Sequence, residues 1–299
     1  MPIPATSDAP VSGTMPGVSL CRVADAAPIA PQDKRCLFDR YWQTRCLTTT
    51  DHRTRLRTAL VQTMLSRRDG RLLDVGCGRG SVAAHFAEVG FDVTAIDISP
   101  MAVEWTRRQH PAIRTAVVDL ENDPIAGSFD TIVCLEVLQQ VREPVSVLKN
   151  LTDALAPGGE LIVSLPNEFH LARRLSILFG RVDFGGIDDT HIKRFTPSEH
   201  VRLFDACGLR VHEYRAQSFI PPRWWGGRLH ALANRVADRW PSMFALSVVY
   251  RLLPIAQEIG SIAGTHDPHL ADPGNGARPL PARERGQTIP PLPSGERVG

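Results

Sequence analysis

The sequence predicts an α/β protein built on a doubly wound, mostly parallel sheet. Three observations carry that prediction. From Arg71 onward, apolar runs of strand length alternate with helical segments, a pattern that puts crossover helices on both faces of a parallel sheet. The stretch RLLDVGCGRGSVAAHFAEVGFDVTAIDIS (71–99) runs strand, glycine loop, helix, strand, acid, the order of a nucleotide-binding βαβ unit. Further apolar runs also end on acids, at Asp119 and Glu136. Right-handed crossovers between parallel strands then force the doubly wound layout.

In chain order, residues 1–31 are rich in Pro, Ala, Ser and Thr. They are expected to be a disordered tail, because they offer too little apolar surface to offset ordering entropy. Residues 35–69 are expected to form one or two helices, with Leu56, Leu60, Met64 and Leu65 on one face. Strands are expected at about 71–76, 92–97, 114–119, 129–135, 159–165, 209–217 and 244–251. Helices are expected between them, at about 80–89, 100–109, 144–155, 169–179 and 197–207. Two long connections, 166–196 and 219–243, follow the fifth and sixth strands. Long connections in compact domains are usually functional, and these two are expected to cover a ligand pocket. Residues 264–299 are rich in Pro, Gly and Arg and are expected to be a second disordered tail. That leaves 35–263 as one folded domain, with no internal repeat.

A net charge of +2 over 299 residues carries no polyanion-binding signature, so no nucleic-acid partner is expected. The charge is uneven. Residues 71–165 hold 7 Lys/Arg against 13 Asp/Glu, whereas 35–69 hold 8 against 3 and 166–264 hold 13 against 9. An acidic middle suits a cationic ligand on the sheet; ordinary surface charge accounts for it equally well. The six cysteines, at 21, 36, 46, 77, 134 and 207, show no C-x-x-C spacing. Reduced thiols and a cytoplasmic setting are therefore expected. The first 31 residues lack the basic start and apolar run of a secretory signal. The most apolar long stretch, 244–263, is interrupted by Arg251, Pro254 and Glu258, so no bilayer span is expected.

In a doubly wound sheet a ligand sits beyond the carboxyl ends of the strands. Glycines at 76, 78 and 80 remove side chains there and permit positive φ, so backbone can approach the ligand. Asp97, 21 residues after Gly76, ends the second strand beside that crevice, where it can accept bonds from ribose hydroxyls. A dinucleotide and an adenosyl-sulfonium compound both fit this plan. The spacing is Gly-x-Gly-x-Gly, with Ser81 where G-x-G-x-x-G wants its last glycine. Asp74, inside the end of the first strand, would repel a pyrophosphate and suit an ammonium or sulfonium. Both details favour the sulfonium.

These residues resemble a known family. LLDVGCGRG, the AIDIS acid, VVDLE (117–121), FDTIVCLEVL (129–138) and LAPGGELIVSLPN (155–167) are similar to the successive motifs of class I S-adenosylmethionine-dependent methyltransferases. The nearer similarity is to the small-molecule group that includes the ubiquinone-biosynthesis O-methyltransferases. HIKRFTPSEHVRLFDACGLRV (191–211) resembles the segment after the fifth strand in that group, and the likeness runs from about Tyr41 to Arg251. It implies a Rossmann-like methyltransferase fold with strand order 3-2-1-4-5-7-6 and one antiparallel strand. It implies S-adenosylmethionine as cofactor and methyl transfer to oxygen or nitrogen of a small-molecule acceptor. Asp74, Gly76, Gly78 and Gly80 are accordingly assigned to the methionine end, Asp97 to the ribose, and Asp119 and Leu120 to the adenine end; Leu135 and Glu136 end the fourth strand, where the methyl should point, and Cys77 and Ile98 are counted among the cofactor-binding residues. Two other readings stand beside it: a nicotinamide-dependent oxidoreductase, and an inactive cofactor-binding scaffold on the same fold.

The family pattern after the fourth strand reads Glu-x-x-Glu-His and is implied to hold a divalent metal in the ubiquinone enzymes. Here it reads Glu136, Val137, Leu138, Gln139, Gln140. Neutral amides weaken a hard-cation site, so no metal is expected, and the ubiquinone substrate is put in doubt. A base is needed where a hydroxyl or protonated amine attacks. The candidate is His191, which follows Asp188, Asp189 and Thr190; a nearby carboxylate can orient its ring. His170 is a weaker rival, and packing of a lid is the competing role for His191. Arg53 and Arg55 are candidates to pair with the cofactor carboxylate. Trp224, Trp225 and Trp240, among Arg223, Arg228, Arg235 and Arg239, suit a peripheral membrane or lipid-linked contact; a pocket lid or a dimer contact fits them as well.

Overall fold

The computed structural model describes residues 31–44, 52–180, 190–218 and 222–255. Nearly all of both expected tails, Cys21, Cys46, Asp188 and Asp189 lie outside the described residues, as do the side chains of Trp224 and Trp225.

Seven strands form one sheet: β1 Arg71–Val75, β2 Asp92–Asp97, β3 Arg114–Val117, β4 Phe129–Leu135, β5 Leu155–Pro166, β6 Leu209–Ser218 and β7 Ala245–Pro254. Their order is β3-β2-β1-β4-β5-β7-β6. β1 to β5 are parallel, and β7 runs antiparallel between β5 and β6. The helices are α1 Pro31–Thr44, α2 His52–Met64, α3 Ser81–Val89, α4 Pro100–Gln109, α5 Pro144–Asp153, α6 Leu171–Leu178, α7 Pro197–Ala206, α8 Pro222–Arg239 and the short α9 Pro241–Phe244. A 3-10 turn, Leu138–Gln140, follows β4.

The central strands alternate their side chains between two cores. Leu73 and Val75 of β1 join one cluster, with β4, α5 and β7. Leu72 joins the other, under α2 and α3. This is the period-2 pattern of a strand covered on both faces. Several boundaries differ from expectation, β7 among them, which runs to Pro254 rather than 251; two of the differences have a visible cause. β5 begins at Leu155 rather than 159, because Leu155 pairs with Phe129 ahead of a register shift that brings Glu160 beside Thr131. The turn glycine there is forced: a Cβ on Gly159 would lie 2.8 Å from the carbonyl oxygen of Ala156. β3 stops at Val117, and the chain turns where the backbone N–H of Val118 donates to the Asp97 carbonyl.

Strand order reverses between β1 and β4, the place where a doubly wound sheet opens a crevice at its carboxyl ends. The loops after β1, β2, β3 and β4 all converge there. Helix α2 is fixed against the sheet at its far end, where Ser66 donates its backbone N–H to Glu160 at 3.0 Å and Arg251 pairs with the same carboxylate at 2.6 Å. Its first turns are thereby aimed over the crevice.

Candidate active site

The crevice is a cavity of about 430 Å³, in the size range of small-ligand sites. Its floor is the loop after β1. Gly76 and Gly78 hold φ of 70° and 53°, a region that favours glycine. Side chains would also collide: a Cβ on Gly76 would lie 2.4 Å from Val137, and one on Gly78 2.6 Å from Trp42. The backbone N–H groups of Gly76 and Cys77 both donate to the Ile96 carbonyl, at 2.8 and 3.0 Å. The loop is therefore stitched to the end of β2.

Asp97 completes that stitching. Its Oδ2 accepts from the Gly78 N–H and its Oδ1 from the Ser99 N–H, both at 2.9 Å. The N-cap of α4 falls to Ser99, whose Oγ accepts from the Ala102 N–H at 3.1 Å. Asp74 is 2% exposed, and its Oδ2 is buried with no hydrogen-bond partner among the described residues. Burial, opposed by an N–H bond from Ala83 and aided by the charge of Asp97, pushes its pKa up to about 7. Burial likewise raises the Asp97 pKa, against three backbone N–H bonds. Two buried acids with one unpartnered oxygen are a place for a cationic group. Asp119 is buried too, its carboxylate accepting from the Glu121 N–H at 3.1 Å and the Asn122 amide at 2.7 Å. Nine of the ten residues assigned from the sequence to a cofactor, with Cys77, Ile98, Leu120 and Leu135 among them, line this one cavity; the tenth, Gly80, does not, and its φ of 76° serves the turn into α3, where a Cβ would lie 2.6 Å from Thr106.

The roof was not anticipated. Phe38, Tyr41 and Trp42 of α1 line the cavity, and Lys34 of the same helix pairs with Glu121. Asp39 of α1 accepts from the Ser99 hydroxyl and, at 3.2 Å, from the Met101 N–H. The signal was present as aromatic residues at i, i+3 and i+4 of a helix, one face. Of the two arginines expected on the cofactor, Arg53 lines the cavity and Arg55 does not; it lines a second groove beside α3. Arg57, one turn beyond Arg53, lines the cavity as well.

At the far end stand Leu135 and Glu136. Glu136 is the one non-glycine residue with positive φ, 59°, among the described residues. Its Oε1 accepts from the hydroxyls of Ser164 and Ser247, at 2.9 and 2.6 Å, and lies 3.4 Å from Arg57 Nη2. Next to it His191 faces the cavity with its Nδ1 2.8 Å from Glu168 Oε1 and its Nε2 3.4 Å from the Gln139 side-chain nitrogen. Among the described residues the ring's orienting carboxylate is Glu168; Asp188 and Asp189 lie outside them. His170 lines the cavity nearby, and burial with the charge of Arg173 lowers its pKa.

The first long connection supplies Asn167, Glu168, His170, Arg173 and His191 to the lining. The described part of the second supplies none; it lies behind, where Pro241, Ser242 and Ala245 offer their carbonyls to the Asn167 amide. The donors do not fit a divalent metal. One Glu136 oxygen is already held by two hydroxyls and a guanidinium, and Gln139 and Gln140 present neutral amides, engaged with His191 and Thr190. They do fit a sulfonium cofactor: glycine floor, unpartnered buried acid, and room for a nucleoside.

Known proteins agree. A family model described as a methyltransferase domain matches residues 49–214, over half of the chain. The ubiquinone biosynthesis O-methyltransferase of Xanthomonas euvesicatoria pv. vesicatoria is 34% identical over 180 residues, covering 56% of this chain and 74% of that protein. The mitochondrial enzyme of that name from Schizosaccharomyces pombe is 33% identical over 114 residues, 36% of this chain and 42% of its own. Among solved structures, magnesium protoporphyrin IX methyltransferase from Synechocystis with bound SAM superposes with a TM-score of 0.51 at 15% identity, over 77% of this chain and 99% of that one; this likeness speaks for the fold. The chain belongs to the methyltransferase-domain family, as a class I S-adenosylmethionine-dependent methyltransferase related to the ubiquinone-biosynthesis O-methyltransferases.

Proposed function

We propose that this enzyme methylates an oxygen of a small-molecule acceptor, with His191 as the base. The observation that carries this reading is the Glu168–His191 pair, 2.8 Å apart, on the same cavity as the glycine loop and Asp97. S-adenosylmethionine, when bound, supplies a methyl group already activated by a positive sulfur. What remains for the chain is alignment, exclusion of water and removal of one proton. Asp74 and Asp97 hold the cationic and ribose ends, with Gly76, Cys77, Gly78 and Ile98 forming the floor. Asp119 and Leu120 border the adenine, and Leu135 borders the methyl. Glu168 accepts the Nδ1 proton of His191, which makes Nε2 the ring's acceptor; the Gln139 amide, 3.4 Å from it, gives way when the acceptor's hydroxyl takes its place. The O-methyltransferase relatives favour oxygen over nitrogen as the methylated atom. Residues 35–263 are taken as one catalytic domain, and buried free thiols at Cys77 and Cys134 suit a cytoplasmic setting. Incubating the protein with methyl-labelled cofactor and host extract tests the reading; no labelled product, or a product labelled at nitrogen, would refute it.

A second reading concerns where the acceptor is met. Helix α6 buries none of its residues. Leu178 and Phe179 are 75% and 76% exposed, with Ile192 and Trp240 about half exposed. Arg173 at the start of the same helix lines the cavity. An apolar helix face with arginines at its edge suits an interfacial site, so the acceptor is read as membrane-associated or lipid-linked. No helix among the described residues is long and apolar enough to cross a membrane.

A further inference from the structure

Helix α1 forms part of the cavity wall yet stands outside the core. None of residues 34–43 is buried, and neither hydrophobic cluster takes a residue from it. By contrast, α3, α4, α5 and α7 each bury several side chains, the usual way a helix is fixed to its domain. The rings of α1, Phe38, Tyr41 and Trp42, face the cavity instead. The surface they cover therefore belongs in part to whatever fills it, and the fixing of α1 falls to polar contacts.

The first of these is at its N-terminal end. Lys34 pairs with Oε2 of Glu121, the two side chains being 13% and 12% exposed. Glu121 is itself held. Its Oε1 accepts the backbone N–H of Arg142 at 2.9 Å and of Glu143 at 3.2 Å, and its own N–H donates to Asp119. The carboxylate is thus fixed between the loop after β3 and the residues that follow the 3-10 turn, so Lys34 meets a rigid partner. Midway, Asp39 accepts from the Ser99 hydroxyl and, at 3.2 Å, from the Met101 N–H. Towards the other end Trp42 meets the floor: a Cβ on Gly78 would lie 2.6 Å from its ring, and the Arg79 guanidinium carbon is 5.9 Å from the ring centroid. Lys34 and Trp42 stand eight residues apart on one helix, about 12 Å along its axis. Helix α1 therefore crosses the cavity as a bar, from the loop after β3 to the glycine loop.

We propose that Glu121 is a positioning residue for cofactor exchange: with Lys34 it latches α1, and the latch must open for the cofactor to enter or leave. This rests on the cofactor lying in the cavity, and not on the acceptor's chemistry or on a base. With α1 in place, the glycine loop, the loop after β3 and the three rings enclose the nucleoside. Lifting α1 breaks one partly buried ion pair and frees the rings together. The separated charges gain water and counter-ions, so opening becomes easier as salt rises. The neighbouring pair, Arg35 and Asp123, is 3.8 Å apart with both side chains nearly half exposed, and such a pair contributes little. A latch differs from a ligand contact in its kinetics. Losing a ligand contact speeds exit alone, whereas losing a latch enlarges the open fraction and speeds entry and exit together.

The test uses the full chain as wild type, Lys34→Met, Glu121→Gln, the double variant and Arg35→Met, with S-adenosylhomocysteine as the probe. Stopped-flow tryptophan fluorescence, with Trp42 on the cavity wall as reporter, gives the entry rate, and chase of tritiated probe by unlabelled probe gives the exit rate. Melting temperatures identify a variant that fails to fold; Lys34→Met carries the test if Glu121→Gln, whose Oε1 supports two backbone N–H groups, is lost. Lys34→Met and Glu121→Gln should each speed entry and exit about fivefold or more. The double variant should be no faster than the faster single one, since both remove the same contact. Raising salt from about 0.05 to about 0.5 M should speed exit from wild type and leave Lys34→Met nearly unmoved. Arg35→Met should change either rate by less than about twofold. Faster exit with unchanged entry in Lys34→Met would overturn the proposal, because Lys34 would then hold the cofactor itself. Rates indifferent to Lys34, an equal salt response in both proteins, or an Arg35→Met effect as large as that of Lys34→Met would overturn it too. A wild type that does not bind the probe would remove the cofactor site along with the latch, whereas normal binding with unmoved rates would remove the latch alone.

Discussion

Gly78 donates its backbone N–H to Oδ2 of Asp97 at 2.9 Å, so the acid that ends β2 also holds the glycine loop that follows β1. One carboxylate thereby sets the shape of the floor and keeps its remaining lone pairs at the crevice. Asp97→Ala removes both. The cofactor dissociation constant should rise by the equivalent of about 1.5–3 kcal/mol, the range for a hydrogen bond to a charged group. Asp97→Asn, which can still accept from Gly78, should lose less. Calorimetry with S-adenosylhomocysteine measures both; an unchanged constant in a folded Asp97→Ala protein would remove Asp97 from the site.

Asp74 gives the cofactor affinity a pH dependence. Its pKa in the folded protein is raised to about 7 by burial, and a cationic ligand favours its ionised form. Binding should therefore release a proton near neutrality, and affinity should climb from pH 5.5 to 8, by at most tenfold per unit for this group. The stability sign is opposite. A raised acid is protonated in the fold, so its contribution is full below its ordinary pKa and is lost as pH rises through about 7. Without cofactor, Asp74→Asn should exceed wild type in urea stability at pH 8 by about 1–3 kcal/mol, a conservative share of such a shift, and by less at pH 5.5. Its cofactor affinity should be weaker and flatter with pH. A wild-type affinity that does not change across this range would show that Asp74 stays protonated in the complex.

Activity should persist in a chelator. The Glu136 oxygen that a metal would claim is held by Ser164, Ser247 and Arg57, and amides stand at 139 and 140. Label transfer to host extract is compared with and without EDTA. Activity lost on chelation and restored by magnesium would contradict the donor chemistry set out above.

The floor of this site was legible and much of its roof was not, for one physical reason. Glycines 76, 78 and 80 and the acids at strand ends work through backbone geometry, and a turn leaves its mark in local spacing. His191's partner did not. Asp188 and Asp189 are adjacent in sequence, but Glu168 is 23 residues away and reaches the ring only through the fold. The choice among arginines was within reach of helix phase: residues 53 and 57 are one turn apart and share a face, and residue 55 points elsewhere. The antiparallel β7 came from resemblance alone, since an apolar run carries no direction. Trp224 and Trp225 drew attention by composition, whereas the two most exposed apolar side chains the structure describes are Leu178, the last residue of α6, and Phe179, its C-cap.

That face makes a membrane prediction. The full chain should sediment with vesicles of mixed phosphatidylglycerol and phosphatidylcholine, and less with phosphatidylcholine alone, since arginines flank the helix. The double substitution Leu178→Asp and Phe179→Asp should cut the bound fraction about fivefold or more and leave S-adenosylhomocysteine affinity and melting temperature unchanged, because neither side chain is buried. Equal sedimentation of both proteins would take α6 out of the contact.

The base assignment makes the sharpest demand. If His191 takes the acceptor's proton, His191→Ala should lower kcat about 100-fold or more and leave cofactor affinity intact, since the ring touches Glu168 and Gln139 and not the glycine loop. Glu168→Gln keeps the shape of the orienting contact and removes its charge, so its loss should be smaller, about tenfold. The split between kinetic constants separates the alternatives. A raised acceptor KM at constant kcat would make His191 a binding residue. If both constants are unmoved, the ring only packs the connection after β5 against the 3-10 turn, where Gln139 already accepts two backbone N–H bonds from Ile192 and Lys193. The acceptor would then have to arrive already ionised, or attack through an atom that carries no proton.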